Sequence, residues 1–311
     1  MSKLLNVSSS PHVRCGVSTK NLMYDVAIAM LPATIWGVMQ FGIRSLIVVV
    51  ATVLSCVLSE YIFETLMHKP VTISDGSALV TGMILGLNMP PAIPIWMPIL
   101  GGIFAIIVVK QLYGGLGQNW MNPALAARCF MLISFAQAMT QFSEPGTDAI
   151  ASATPLAEIK AGGTYDLAAM FIGKIPGTIG EVSVIALLAG AAYLLVKKVI
   201  SIRIPAAYIL TVVVFAALFG GHGLDVNYIL AHLCGGGLIF GAFFMATDYV
   251  TSPITPKGQI AFGILLGVLT GLFRIFGGSA EGVSYAIIIS NILVPLIEKI
   301  TLPKAFGKEG R

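Results

Sequence analysis

Charge is scarce in this chain: Asp, Glu, Lys and Arg make up 10% of its 311 residues, against 57% apolar residues. A soluble domain carries about a quarter charged residues. So few cannot cover a water-facing surface, and the apolar excess must therefore meet lipid. Cysteine is scarce too. Cys15, Cys56, Cys129 and Cys234 lie far apart, no Cys-x-x-Cys occurs, and three of them fall in apolar segments where a buried structural thiol is expected. His12, His68, His222 and His232 show no metal-ligand spacing. The chain is thus not expected to build an iron–sulfur or metal centre by itself. At a net charge of +4, no nucleic-acid partner is expected either. No apolar stretch with a small-residue cleavage site precedes Lys20, so the first apolar helix is expected to stay as an anchor.

What the sequence has is long apolar runs punctuated by glycine (34) and proline (16). A membrane span needs roughly 20 apolar residues, fewer where a helix is broken. Spans are predicted near 22–41, 45–66, 77–89, 95–113, 122–139, 179–196, 204–220, 226–246, 258–276 and 282–300. The third is short and runs into Asn88-Met89-Pro90-Pro91, which must end a helix. The eighth likewise runs into Asp248, Pro253 and Pro256. Pro90 precedes Gly114-Gly115 by 24 positions, and Pro253 precedes Gly277-Gly278 by the same 24. Short, Pro-interrupted spans at matching places in two halves point to a repeat with a central site. With five helices in each, the second repeat must enter from the opposite side.

The predicted fold is an all-α polytopic membrane protein of about ten helices in an inverted 5+5 repeat. Its expected parts are a cytoplasmic segment 1–21, a first transmembrane repeat 22–139, an extracytoplasmic loop 140–178, a second repeat 179–300 and a cytoplasmic tail 301–311. Orientation comes from lysine and arginine. With the N-terminus inside, 13 of these residues lie on the cytoplasmic side and 4 (Arg44, Lys160, Lys174, Arg274) outside, with Arg128 inside the fifth span. Both termini are then cytoplasmic.

The loop 140–178 is the longest connection and is mildly acidic, with apolar and small residues after Pro145-Gly146-Thr147-Asp148. Long loops in compact proteins are usually functional or disordered, and this one reads as folded against something. Elsewhere, Gly114-Gly115-Leu116-Gly117 follows no strand, so it reads as helix termination and close packing rather than a phosphate loop. Asn122 with Pro123 reads as a helix cap, while the amides of Asn119 and Asn122 could also hydrogen-bond the polar edge of a neutral heteroaromatic ring. Asp75 before Ser77 reads as a helix-capping carboxylate, and Asp248 with Thr251 stands at the matching place in the second half. Ionisable residues within spans are few: Glu60, Glu64, Arg128 and Lys110. Such groups tend to mark pathways. Arg128 could neutralise an anionic ligand or could snorkel to the interface.

Four stretches carry a family resemblance: Ser74-Asp75-Gly76-Ser77-Ala78-Leu79-Val80-Thr81-Gly82, Leu87-Asn88-Met89-Pro90-Pro91, Tyr113-Gly114-Gly115-Leu116-Gly117-Gln118-Asn119 running through Asn122-Pro123-Ala124 to Arg128, and Asp148 through Leu156. Over essentially its whole length the chain resembles the RnfD family, membrane components of the Rnf complex, an ion-pumping ferredoxin:NAD⁺ oxidoreductase. More distantly it is similar to NqrB, a membrane component of the Na⁺-translocating NADH:quinone oxidoreductase. The family carries a motif like Asp-x-x-Ser-Gly-Ala-Thr, to whose threonine a flavin transferase links FMN through a phosphoester. The resemblance puts that threonine at Thr154 and the motif's aspartate at Asp148, with Ser152 and Ala153 inside the motif; Ala151 and Ser152 depart from the usual residues. It further implies a second, non-covalent flavin (riboflavin or FMN), for which Asn119, Asn122 and Arg128 are the candidate contacts. The implied partners are other Rnf subunits, including an FMN-bearing subunit and iron–sulfur membrane subunits, besides the flavin transferase and the lipid bilayer. The implied location is the bacterial plasma membrane.

Two further functions fit the same architecture. An inverted repeat with broken helices is shared in outline with urea and ammonium channels, so a solute channel or secondary transporter is the second reading. A scaffold for a membrane complex is the third. Fold alone does not decide between them.

Overall fold

The computed structural model describes residues 18–143, 150–151, 154–160, 163, 166–221, 223–277 and 282–303. Each of the ten apolar segments falls on helix. The first two are α1 (Thr19–Phe41) and α2 (Ile43–Leu66), separated by Gly42 at φ 77°. A short 3₁₀ turn (Ile73–Asp75) leads into α3 (Ser77–Leu87), and α4 (Trp96–Gln111) follows, its second half wound as a π-helix. The first half ends with α5 (Pro123–Ser134) and α6 (Ala136–Met139). The connecting loop holds α7 (Pro155–Lys160) and α8 (Leu167–Ile172). The second half comprises α9 (Val184–Val196), α10 (Arg203–Phe219), α11 (Val226–Cys234), α12 (Leu238–Met245), α13 (Pro256–Ile275) and α14 (Val283–Thr301). Among the described residues the β-structure is one two-residue antiparallel ladder, β1 (Phe142–Ser143) against β2 (Ile150–Ala151), with Phe142 opposite Ala151.

Four helices (α1, α2, α13, α14) are long and apolar enough to cross a bilayer, and α11 with α12 makes a fifth candidate, bent by 62°. Five more apolar helices are shorter. The distribution of side chains is that of a membrane protein. On α1, Ile28, Leu31, Ile35 and Met39 form an exposed apolar stripe, while the face turned inward carries Ala29, Met30, Ala33 and Gly37. On α2 the outward face is Ile47, Val50, Leu54 and Leu58, and the inward face is Ser45, Thr52, Ser55 and Ser59. Large apolar residues outside and small or hydroxylated residues inside is how helices associate when lipid, not water, surrounds them. The tightest instance is on α13. Added Cβ atoms on Gly263, Gly267 and Gly271 would stand 2.6, 2.4 and 2.4 Å from Ala207, Thr211 and Phe215 of α10, so only glycine permits this approach.

Local sequence explains most boundaries. The Ser18 hydroxyl accepts from Asn21 N at 3.3 Å, so α1 begins at Thr19, ahead of the apolar run that starts near residue 22. Asn122 caps α5 through bonds from Ala124 N and Leu125 N, with Pro123 at the first position. Gly114, Gly115 and Gly117 all have positive φ and close off α4. Three spans differ from the sequence prediction, the first being 122–139, which is interrupted at Phe135 between α5 and α6. The segment 226–246 is not one helix: Gly235-Gly236-Gly237 breaks it, with Gly236 and Gly237 at φ 62° and 65°. The segment from 179 becomes helical only at Val184, because Ser183 caps α9 and the preceding amides are used elsewhere. Ile179 N donates to Met89 O at 3.1 Å and Gly180 N to Leu87 O at 2.8 Å, which ties this segment to the end of α3.

The loop between the halves is folded against the second half. Leu156 and Ile159 of α7 and Met170 of α8 are buried with Ala216 of α10 and Tyr228 and Ala231 of α11 in a small core of their own.

Candidate functional site

Three sites bring the polar residues together. The first is a cavity of about 80 Å³ between α1, α3, α9 and α12. A water needs roughly 10–15 Å³ on this measure, so several fit. Its apolar walls include Leu22, Val26, Val80, Ile84, Phe243 and Phe244; its polar lining is Ser77, Thr81, Lys110, Asn119, Asn122, Thr247 and Asp248. Asn119 and Asn122 therefore line one cavity. Both amides are partly committed. Asn119 Nδ2 donates to Met121 O at 3.0 Å, and Asn122 Oδ1 is the α5 cap. Asn291 of α14 closes the same region, oriented so that its amide oxygen accepts from Asn122 N at 3.2 Å and its nitrogen donates to Thr251 O at 3.1 Å. Asp75 Oδ1 accepts from Ser77 N and Oγ at 2.7 and 2.6 Å and holds the start of α3, while the cap position itself is Gly76. Asp248 is held the same way by Thr251 Oγ1 and Val250 N.

The second site surrounds Arg128. Its guanidinium is buried, paired with Glu181 at 2.6 Å and hydrogen-bonded to Asn88 Oδ1. Arg128 does not snorkel, and it does not line the cavity of Asn119 and Asn122. Asn88, at the end of α3, also donates from Nδ2 to Ile84 O at 2.6 Å. Glu181 was not singled out from sequence; the signal available was a carboxylate placed just before an apolar helix.

The third site is at Thr154. The residue precedes α7, is 9% exposed, and among the described residues its hydroxyl oxygen accepts one long bond, from Ala157 N at 3.4 Å. It borders a small pocket formed with Pro155, Pro176, Gly177, Glu181, Gly235 and Gly236. Glu181 thus connects Arg128 to the surroundings of Thr154. Behind the glycines, Arg274 of α13 donates to the carbonyls of His232, Gly235 and Gly236 at 2.5, 3.0 and 2.9 Å, fixing the bend between α11 and α12. Asp148, Ser152 and Ala153 lie outside the described residues. Arg274, counted above on the outer side, and Lys110, counted on the inner side although within a span, are both buried in polar networks; leaving them out keeps the sign of the charge asymmetry.

Comparison with known proteins covers nearly all of this framework. The chain is 45% identical over 309 residues to the D-type component of the Na⁺-translocating ferredoxin:NAD⁺ oxidoreductase complex of Acetobacterium woodii, covering 97% of this chain and 95% of that one. It is 43% identical over 319 residues to the D-type component of the proton-translocating ferredoxin:NAD⁺ oxidoreductase complex of Clostridium ljungdahlii, covering 98% and 96%. It is 36% identical over 302 residues to the D-type component of the ion-translocating oxidoreductase complex of Methanosarcina acetivorans, covering 97% and 96%. The model of the NQR2, RnfD, RnfE family matches residues 6–307, and with relatives this similar over their full length, the chain belongs to that family.

Proposed function

We propose that the chain is the RnfD-type membrane component of an ion-translocating ferredoxin:NAD⁺ oxidoreductase complex, and that it relays electrons through an FMN esterified to Thr154 and a second, non-covalent flavin. The observation that carries the reading is Thr154 itself. Its hydroxyl stands beside a pocket, makes one weak hydrogen bond, and follows a motif like that of the family's attachment site. The residues present fit an attached phosphoester. Among the described residues no strong hydrogen bond of the hydroxyl must be broken, and the carboxylate that borders the pocket, Glu181, is compensated by Arg128. At 9% exposure, the hydroxyl becomes accessible to a transferase when α7 lifts from its seat on α11. Flavin supplies the one- and two-electron chemistry; the protein supplies position and electrostatics. Arg128, held by Glu181 and Asn88, forms with Glu181 a fixed ion pair whose carboxylate borders the Thr154 pocket.

The cavity of Asn119 and Asn122 suits the second flavin, riboflavin or FMN. Aliphatic and Phe walls face a ring's surfaces, and amides and hydroxyls face its polar edge. The ring is larger than the cavity, and Leu116 and Tyr249 at its exposed rim would move aside to admit it. Ten crossings in an inverted 5+5 repeat, with cytoplasmic termini, the Thr154 loop outside and the whole in the bacterial plasma membrane, complete the reading. Two internal contacts support the repeat. Arg128 bonds Asn88 across the end of α3, and Asn291 bonds Thr251 at the same forty-residue separation in the second half. The partners would be the other subunits of the complex, among them an FMN-bearing subunit and iron–sulfur membrane subunits.

The test is intact mass and in-gel flavin fluorescence of the denatured protein, wild type against Thr154→Val, each produced with an active flavin transferase. The expected result is the mass of one FMN on wild type and none on the variant. Unmodified wild type, with the transferase active on another substrate, would sink the covalent relay and favour solute passage through the same bundle.

A further inference from the structure

The Thr154 pocket and the cavity of Asn119 and Asn122 are joined by four residues in contact. Glu181 borders the pocket, and its Oε1 accepts from Arg128 Nη1 at 2.6 Å. Arg128 also donates to Asn88 Oδ1, and Asn88 Nδ2 donates to Ile84 O at 2.6 Å, one turn back along α3. Ile84 is part of the cavity wall. Arg128 stands six residues after Asn122 on α5, about 9 Å along the helix from that cavity residue. The charges are therefore ordered along the path. The carboxylate lies at the Thr154 end, and the guanidinium lies toward the cavity.

Both charges are held in place. The Arg128 and Glu181 side chains are 5% and 7% exposed. A Cβ added to Gly237 would stand 2.4 Å from Glu181 Oε1, so the carboxylate rests directly on the backbone at the start of α12. A dipole fixed in such surroundings is little screened by water and needs no rearrangement when charge moves past it. The pair has no net charge, so it acts in opposite senses at the two ends of the path. An electron is repelled at the Glu181 end and attracted at the Arg128 end. Lys110 and Asp248 also line the cavity. They stay in place when Arg128 and Glu181 are replaced, so such a replacement isolates the field of the pair.

We infer that the Arg128–Glu181 pair is an electrostatic bias that directs one electron from a flavin at Thr154 to a flavin in the cavity of Asn119 and Asn122. The inference rests on the flavin reading and deepens it. One electron leaves the Thr154 flavin and the same electron arrives at the inner one; the pair forms and breaks no bond and gives up no proton. Arg128 and Glu181 act on both flavins through their field and are not catalytic residues.

The test is spectroelectrochemical titration of the two flavins in the purified complex. Wild type is compared with Glu181→Gln, with the neutral double variant (Arg128→Met with Glu181→Gln) and with the charge-conserving one (Arg128→Lys with Glu181→Asp). Difference titrations against Thr154→Val and Asn122→Ser assign the two flavins. In the neutral double variant the midpoint potential of the Thr154 flavin is expected to rise and that of the inner flavin to fall. The equilibrium constant for transfer between them then drops by about three- to tenfold at an effective dielectric constant of about 20. The charge-conserving variant is expected to restore the wild-type gap. Glu181→Gln leaves the Arg128–Asn88 bond in place and is expected to narrow the gap from the Thr154 end, and it decides the matter where the double variant does not assemble. An unchanged or wider gap overturns the inference. Intact mass and the flavin released on denaturation are read in the same samples. Absence of either flavin from wild type overturns the flavin reading and the inference with it; both flavins present with an unmoved gap overturn the inference alone.

Discussion

Replacing Arg128 by Met removes the guanidinium but keeps most of the side-chain volume, so the result reports charge pairing rather than a cavity. In the structure the guanidinium is 4% exposed and serves Glu181 at 2.6 Å as well as Asn88. Breaking a buried pair from one side leaves the other charge uncompensated and costs about 3–5 kcal/mol. At roughly 2 °C per kcal/mol for a large chain, that is a fall of about 6–10 °C in Tm. The assay is thermal unfolding of the detergent-solubilised protein for wild type, Arg128→Met, Glu181→Gln and the double variant. Removing both charges together leaves no orphan, so the double variant is expected to be more stable than the sum of the singles by about 1–3 kcal/mol. A drop below about 1 kcal/mol for Arg128→Met, with additive singles, would refute the claim that this pair is a desolvated structural contact.

Two other substitutions test the packing and the cavity. Gly267→Val places its Cβ where Thr211 Cβ stands 2.4 Å away, and is expected to destabilise by about 1–3 kcal/mol in the same unfolding assay, against less for Gly101→Ala, whose added Cβ meets nothing closer than 3.5 Å. Asn122→Ala removes the α5 cap and is expected to cost about 1 kcal/mol, whereas Asn122→Ser keeps a capping oxygen. If the Asn122 amide contacts a flavin, Asn122→Ser retains wild-type stability and still loses non-covalent flavin, measured by fluorescence of the supernatant after denaturation.

Features set by neighbouring residues were legible in the sequence. Pro90-Pro91 ends α3 as expected, and Asn122-Pro123 starts α5. The apolar runs mark the helices because lipid imposes one simple rule on the outer face. Contacts between distant residues were not legible. Lys110 and Glu60 are 50 positions apart, Arg128 and Glu181 are 53 apart, and neither partner is written into the other's local pattern. Glu60 and Glu64 stand one turn apart on α2, and nothing in the sequence names Lys110 as a partner of either. The bend in 226–246 was hidden for another reason. Glycine is common in membrane helices, so Gly235-Gly236-Gly237 does not by itself mark a break. At Thr154 the sequence supplied the motif, whereas the link through Glu181 to Arg128 needed three dimensions.

Helix α3 is attached at both ends. At its start, Ser77 is hydrogen-bonded to Lys110 and Asp75; at its finish, Asn88 meets Arg128, and the carbonyls of Leu87 and Met89 receive Gly180 and Ile179. Its eleven residues make a rod of about 16 Å at 1.5 Å per residue, and glycines at 82 and 86 seat it directly on the backbone of α2. A rod that short has no slack. Two charged clusters far apart in sequence, Lys110 with Glu60 and Arg128 with Glu181, are therefore anchored to the two ends of one short helix, and a substitution in either changes what holds α3 in place.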